Sequence, residues 1–183
     1  MIRAFFAIAL PKSLHESISD LMQQLHEHIK FLKYRFQKLD HLHITLQFMK
    51  EVRLDDIPAM IEEIREKLKN VRAFEIELNQ IELFPNTHHP RYISLIPTVN
   101  ATLNTLVEQI GEVIAKAHYP IETRPYRPHM TLARLYENPD KKINFDNDII
   151  RHKKIYVNEI IFYQSNPSNG ETHYIPLERI KFE

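Results

Sequence analysis

The 183-residue chain contains no cysteine, no tryptophan and two glycines, Gly111 and Gly170. Without cysteine, the chain has no disulfide, no thiolate metal site and no cysteine nucleophile. Two isolated glycines exclude the Walker and Rossmann phosphate loops, which need several glycines within a few residues. A chain without cysteine fits a reducing compartment, and we expect a cytoplasmic protein.

Long apolar runs and an excess of one charge sign are also missing. The apolar stretch at the N-terminus stops at Pro11, well short of the ~18 residues of a transmembrane helix, so it predicts a buried strand. The 24 basic and 24 acidic residues give a formal net charge of +0. A neutral chain disfavours broad electrostatic binding to a nucleic-acid duplex but permits a local basic pocket for one phosphate.

What remains is an ordinary globular composition, with 43% hydrophobic and 26% charged residues. Period-two and helical spacing of apolar residues predict alternating strands and helices. The last two strands are expected to pair around a turn at 166–170, and Ser13 is expected to cap the first helix. The predicted helices are 13–30, 55–70 and 100–117, and the predicted strands are 2–10, 34–37, 43–48, 74–78, 92–96, 130–135, 155–163 and 173–182.

The most informative pattern occurs twice, about half the chain length apart. Residues 43–46 read His-Ile-Thr-Leu, and residues 129–132 read His-Met-Thr-Leu. Because side chains alternate along a strand, each copy presents a histidine and a threonine on one face and two apolar residues on the other.

A helix is predicted before each copy, so the chain reads as a weak internal duplication. This pattern favours an α+β fold of two pseudo-symmetric lobes, with mostly antiparallel sheets lining a central cleft and the helices outside. We expect residues 1–183 to form a single domain of two intertwined lobes. In such a domain the two His–Thr pairs would face each other across the cleft.

The chemistry of the repeated pair suits a phosphate ester. Imidazole titrates near pH ~6.5, so one ring can accept a proton while the other donates one. Threonine hydroxyls can donate hydrogen bonds to phosphate oxygens. The candidate residues are therefore His43, His129, Thr45 and Thr131.

With these motifs, the chain resembles the 2H phosphoesterase superfamily, and within it the RNA 2′,3′-cyclic phosphodiesterases, also called 2′-5′ RNA ligases of the LigT type. Both His-x-Thr-x motifs carry the resemblance, as do the start of the chain, the middle and the end. The matching stretches are 3–8, 42–48, 84–85, 90–91 and 127–134, together with Tyr174 and Leu177.

The resemblance implies hydrolysis of a 2′,3′-cyclic phosphate at an RNA end to a 2′-phosphate, without metal or cofactor. It implies that His43 donates a proton to the departing 3′ oxygen, that His129 activates water as the base, and that Thr45 and Thr131 hold the phosphate. Relatives also join or reverse 2′-5′ linkages. The expected partners are RNA termini or nucleotides with a 2′,3′-cyclic phosphate. We expect no membrane or protein partner and a monomeric protein.

Arg134 matches a phosphate-binding position of the resembled family. Strict alternation would place Arg134 on the face opposite His129, so it needs a twist or a bulge to reach the site, and a surface ion pair is the alternative. Arg124 and Arg127 precede the second motif and are interpreted as solvated loop residues or as the pocket rim.

Three aromatic residues are candidates for stacking on a base, although core packing is the better explanation for any one of them. These residues are Phe48, Phe84 and Tyr126.

Two other functions stay open on the sequence alone. His41, His43 and His129 could serve a metal-dependent phosphohydrolase, although His41, His88 and His89 are more simply exposed loop residues. A non-catalytic module that binds RNA ends or nucleotides would also use the same scaffold.

Overall fold

The computed structural model describes residues 1–139, 143–150, 153–168 and 171–182. Strands and helices alternate along the first two thirds of the chain, which then ends in three strands. The strands are β1 (Ile2–Ala9), β2 (Tyr34–Phe36), β3 (His43–Val52), β4 (Phe74–Phe84), β5 (Tyr92–Pro97), β6 (Met130–Leu135), β7 (Lys153–Val157), β8 (Glu159–Ser168) and β9 (Glu171–Lys181). The α-helices are α1 (His15–Ile29), α2 (Ile57–Leu68) and α3 (Ala101–Lys116).

The strands form an antiparallel sheet in the order β7-β4-β5-β6-β3-β1-β8-β9, and β2 adds to β6. The order is symmetric about its middle, because each motif strand is followed outwards by three further strands. One lobe is β3-β1-β8-β9 and the other is β6-β5-β4-β7. The predicted α+β class, the antiparallel sheet and the two-lobe arrangement are therefore confirmed.

The two lobes meet at the motif strands. β3 and β6 pair antiparallel through Ile44 and Met130, the apolar second residues of the two motifs. Continuing this register by one residue on each side brings His43 across from Thr131 and Thr45 across from His129. A pseudo-twofold axis therefore passes between the two His–Thr pairs.

The helices cover the face of the sheet opposite these pairs. Their buried residues recur every three or four positions, as at Ile18, Leu21 and Leu25 of α1. They share one apolar core with the inward-facing residues of the motif strands, including Ile44 and Leu132. The core thus fixes which face of each motif strand points to solvent.

Each motif strand contains a β-bulge at the leucine that ends its motif. In β3, Gln47 pairs with Phe6 and Thr45 pairs with Ala7, so Leu46 is the extra residue. Leu46 and Gln47 are consequently both buried. The amide of Gln47 donates to the carbonyl of Val107 in α3 at 3.1 Å, which satisfies this polar group in the core.

The same irregularity occurs in β6. Ala133 pairs with Ile93 and Thr131 pairs with Ser94, which leaves Leu132 as the extra residue. A bulge reverses the alternation of side chains between the two faces of a strand. Leu132 and Ala133 therefore both face the core, and Arg134 lies on the same face as Thr131.

Two local predictions are wrong. Ser13 does not cap α1, because a short 3-10 helix over Lys12–Leu14 precedes it and no side chain caps its N-terminus. The predicted strand 155–163 is two strands interrupted at Asn158: β7 pairs with β4, whereas β8 pairs with β1 and β9, so the chain crosses between lobes there. Of the predicted turn at 166–170, residues 169 and 170 lie outside the described residues.

In the described part of the chain, no helix combines the length and the apolar character needed to cross a bilayer.

Candidate active site

The two motif histidines are anchored in the same way. Nδ1 of His43 hydrogen-bonds the carbonyl of His41 at 2.7 Å, and Nδ1 of His129 hydrogen-bonds the carbonyl of Arg127 at 3.0 Å. In each case the acceptor lies two residues before the histidine. Because a carbonyl only accepts, each Nδ1 must carry a proton, which leaves Nε2 to gain or lose a proton.

His43 is packed among aromatic rings. The ring centroid of Phe5 lies 4.8 Å from that of His43, and Tyr174 meets the imidazole edge-on at 5.1 Å. The pKa of His43 is lowered to about 4, mainly by burial and to a smaller extent by the nearby His129 and His41, while the hydrogen bond to the carbonyl of His41 opposes the shift. His43 is therefore neutral at pH 7 when no anion is bound.

His129 stacks on Phe84, with ring centroids 3.9 Å apart and an angle of 19° between the planes. The guanidinium of Arg127 lies over the same phenyl ring, 4.9 Å from its centroid, and donates to the carbonyl of Pro85. Burial lowers the pKa of His129 and the charge of Arg127 lowers it further, while the hydrogen bond to the carbonyl of Arg127 raises it. The aromatic candidate Phe84 thus contacts the second histidine directly.

Both histidines and both threonines line one cavity of about 340 Å³. Arg134 lines the same cavity, because the bulge at Leu132 returns it to the face of Thr131. The ring of Tyr136, 5.8 Å from Cζ of Arg134, supports the guanidinium by a cation–π contact. All five predicted site residues are thus brought together in the structure.

The cavity has further walls that the sequence analysis did not assign to the site, although it named Tyr174 as part of the family resemblance. They come from strand β2 and the segment that follows it, and from strands β5 and β9. No aspartate or glutamate is among the described residues that line it, so the cavity suits an anion. These additional lining residues are Arg35, Phe36, Gln37, Lys38, Tyr92, Thr172 and Tyr174.

Three further candidates, Arg124, Arg127 and Phe48, do not line this cavity. Arg124 forms an exposed ion pair with Glu122, so its interpretation as a solvated loop residue holds. Arg127 contacts Phe84 instead of the cavity. Phe48 is 42% exposed beneath the guanidinium of Arg3.

Tyr126 has a structural role at the edge of the first motif. Its hydroxyl donates to the backbone carbonyl of Thr45 at 3.0 Å. Burial raises the pKa of this hydroxyl, so it stays protonated and keeps donating. Tyr126 therefore helps to hold the first motif strand in place.

The other three candidate histidines divide into two kinds. His88 and His89 are exposed in a turn where the side chain of Asn86 accepts from both backbone N–H groups. His41 is half-buried and lines the cavity, so its interpretation as an exposed loop residue is wrong. Within the described residues, no three histidine or acidic side chains are arranged to hold a metal ion, so the ligand set of the metal-dependent alternative is not formed there.

Known proteins share both the sequence and the fold. The chain is 32% identical over 142 residues to the RNA 2′,3′-cyclic phosphodiesterase of Bacillus subtilis, which covers 76% of this chain and 75% of that protein. It is 27% identical to the RNA 2′,3′-cyclic phosphodiesterase of Methanocaldococcus jannaschii, over 85% of this chain and 90% of that one.

Among solved structures, apo LigT of E. coli superposes with a TM-score of 0.79 at 24% identity, covering 99% of this chain and 97% of that one. This likeness establishes the shared fold. The sequence model of the 2′-5′ RNA ligase superfamily matches residues 10–146, which include both motif histidines. The chain therefore belongs to the 2′-5′ RNA ligase superfamily.

Proposed function

We propose that this protein hydrolyses the 2′,3′-cyclic phosphate at an RNA end to a 2′-phosphomonoester, with His43 and His129 as the acid–base pair and without a metal ion. Family membership supports a phosphodiester hydrolase. The proposal rests on one observation: the two imidazoles are anchored in the same way at one cavity. In each of them Nδ1 donates to the backbone carbonyl two residues earlier, and both rings line the same cavity.

In the proposed reaction, Nε2 of His129 takes a proton from water as the water oxygen attacks phosphorus. Nε2 of His43 gives its proton to the departing 3′ oxygen, so the 2′ oxygen keeps the phosphate. Thr45 and Thr131 donate hydrogen bonds to the non-bridging oxygens. Arg134 adds a guanidinium that can bind two oxygens at once and stabilise the charge that develops on them.

The proton donor in this scheme has the more strongly lowered pKa of the pair. Burial disfavours the charged form of His43, so a bound phosphate anion must help to charge it. A donor of low pKa is also a stronger acid, so the small protonated fraction transfers its proton more readily to an alkoxide. The burial that disfavours the charged ring thus also makes it an effective donor.

The same acid–base pair supports 2′-5′ ligation. If the 5′-hydroxyl of a second RNA replaces water, His129 deprotonates that hydroxyl, and loss of the 3′ oxygen leaves a 2′-5′ linkage. The reverse reaction exchanges the roles of the two histidines. We further propose that residues 1–183 act as one domain, as a monomer in the cytoplasm.

The direct test is hydrolysis of uridine 2′,3′-cyclic phosphate in the presence of a chelator, with the product identified by phosphorus NMR. We expect the 2′-phosphate, and losses of at least roughly a thousandfold in His43→Ala and in His129→Ala. His88→Ala, in the exposed turn, is the matched control and should retain full activity.

The alternatives give different results in the same assay. Activity that disappears with the chelator and returns with a divalent metal would indicate the metal-dependent hydrolase. Tight binding of the cyclic nucleotide or its 2′-phosphate without turnover would indicate a binding module. Full activity in both histidine variants would refute the acid–base assignment.

A further inference from the structure

Three residues form a row across the sheet beside the two motifs. In the antiparallel register, Arg134 of β6 pairs with Tyr92 of β5 on one side and with Arg35 of β2 on the other. Directly paired residues on antiparallel strands point to the same face, so all three side chains face the cavity, and all three line it. Two guanidinium groups therefore lie side by side next to the catalytic threonine of β6.

A third cation extends this row towards the first motif. Lys38 follows β2 and also lines the cavity, and the backbone N–H of Gln37 donates to the carbonyl of Leu132 at 2.8 Å, which ties this segment to the bulge of β6. The chain as a whole has a net charge of +0, whereas this cavity wall concentrates cations without a carboxylate among its described lining residues. One cyclic phosphate carries a single negative charge, which Arg134 alone can meet.

The place of Arg35 and Lys38 relative to the reacting groups suggests what the additional charge binds. Strands β2 and β3 both pair with β6 on the side away from β5, so Arg35 lies on the same side of β6 as His43, the proposed donor to the 3′ oxygen, and Lys38 lies between them along the chain. The ribose that holds the leaving oxygen must therefore lie on this side of the cyclic phosphate. In an RNA chain, but not in a cyclic mononucleotide, the 5′ oxygen of that ribose carries the preceding phosphodiester.

Resting on the function proposed above, we propose that Arg35 and Lys38 bind the phosphodiester that precedes the terminal nucleotide, which makes the 3′ end of an RNA strand a better substrate than a cyclic mononucleotide. Both side chains are exposed, so they can reach a flexible strand. Their contact is electrostatic and independent of base identity.

The test compares three substrates with the wild-type protein and the variant Arg35→Gln/Lys38→Gln. The substrates are uridine 2′,3′-cyclic phosphate, a uridine dinucleotide that ends in the cyclic phosphate, and the same dinucleotide with an uncharged methylphosphonate linkage. The last two differ only in the charge of the preceding linkage. Lys67→Gln/Lys116→Gln, on the outer helices, removes the same charge far from the cavity.

We expect the wild type to prefer the charged dinucleotide over its methylphosphonate by about tenfold in kcat/KM, mostly through KM. The preference should disappear in Arg35→Gln/Lys38→Gln and persist in the outer-helix variant. It should also weaken with salt, with a slope of roughly −0.7 for one phosphate contact on a single strand.

Three outcomes would overturn the inference. Equal kcat/KM for the charged and uncharged dinucleotides in the wild type would show that no such contact exists. An equal loss on all three substrates in Arg35→Gln/Lys38→Gln, with unchanged thermal unfolding, would assign both residues to the cyclic phosphate itself. Absence of wild-type hydrolysis on every substrate would instead remove the proposed function on which the inference rests.

Discussion

The phenyl ring of Phe84 lies flat against the imidazole of His129, 3.9 Å between centroids, while Arg127 covers the phenyl ring. The stack buries one side of the proposed base, and the nearby guanidinium disfavours a second positive charge. Phe84 and Arg127 do not line the reaction cavity, so we regard both as positioning residues for His129.

Replacing Phe84 should therefore alter the titration of His129 as well as the rate. In Phe84→Leu we expect the pKa of His129, measured by NMR, to rise towards its ordinary value, and kcat to fall roughly tenfold because the ring is less well held. Phe84→Tyr keeps the stack and should retain both values. A slow Phe84→Leu variant with an unchanged His129 titration would contradict the electrostatic part of this account.

Removing Arg134 should weaken the stabilisation of charge on the phosphate. We expect Arg134→Ala to lower kcat/KM on uridine 2′,3′-cyclic phosphate by roughly a hundredfold. Arg134→Lys should recover only part of this loss, because an ammonium lacks the planar fork of donors. Arg124→Ala, at an exposed ion pair outside the cavity, should match the wild type. A wild-type rate in Arg134→Ala would show that Arg134 does not bind the phosphate and would favour the alternative of a surface ion pair.

The pH dependence of hydrolysis should be displaced to the acid side. The reaction needs one histidine protonated and one neutral, and burial lowers the pKa of both rings, that of His43 to about 4. We expect a bell-shaped profile of kcat/KM with its maximum below pH ~6.5 and a fall of about tenfold per pH unit on the alkaline side. The profile of kcat should lie at higher pH, because bound phosphate favours the charged ring. Both are measured by initial rates in buffers of constant ionic strength.

The buried histidine should also make folding pH-dependent. The pKa of His43 is lower in the folded chain than in the unfolded chain, so unfolding takes up a proton between about pH 6.5 and 4. Stability from this source is complete above pH ~6.5 and is lost as the pH falls. We expect the wild type to lose about 2 kcal/mol more than His43→Gln between pH 7 and 4.5, measured by urea unfolding. Parallel losses in the two proteins would show that His43 titrates normally.

Much of this fold follows from local pattern in the sequence. The apolar spacing of α1 and α3 predicts their position and their buried faces. The capping prediction fails at Ser13 because Ser13 lies inside a 3-10 turn, and α1 begins at His15 with Leu14 at its N-cap. The doubled His-x-Thr-Leu motif predicts the two-lobe symmetry and the residues that meet at its centre.

Features that depend on register between distant strands are not visible in the sequence. The bulges at Leu46 and Leu132 bury Gln47 and expose Arg134, against the simple alternation of a strand. The pairing of Arg35 with Arg134 joins segments about a hundred residues apart, and no local pattern encodes it. The division of 155–163 into two strands likewise depends on which neighbouring strands each half pairs with, because both halves are apolar and have the residue types of a strand.

The matched bulges also bear on the orientation in which a ligand can bind. Phe48 stands five residues after His43, as Arg134 stands five residues after His129, so the bulges place these two side chains at equivalent points of the two lobes. The backbone alone would accept a ligand in either of two orientations related by the pseudo-twofold axis. Arg134 lines the cavity, whereas Phe48 lies outside it beneath the guanidinium of Arg3. The two lobes therefore offer a ligand different groups, which removes this degeneracy and gives the site a defined polarity.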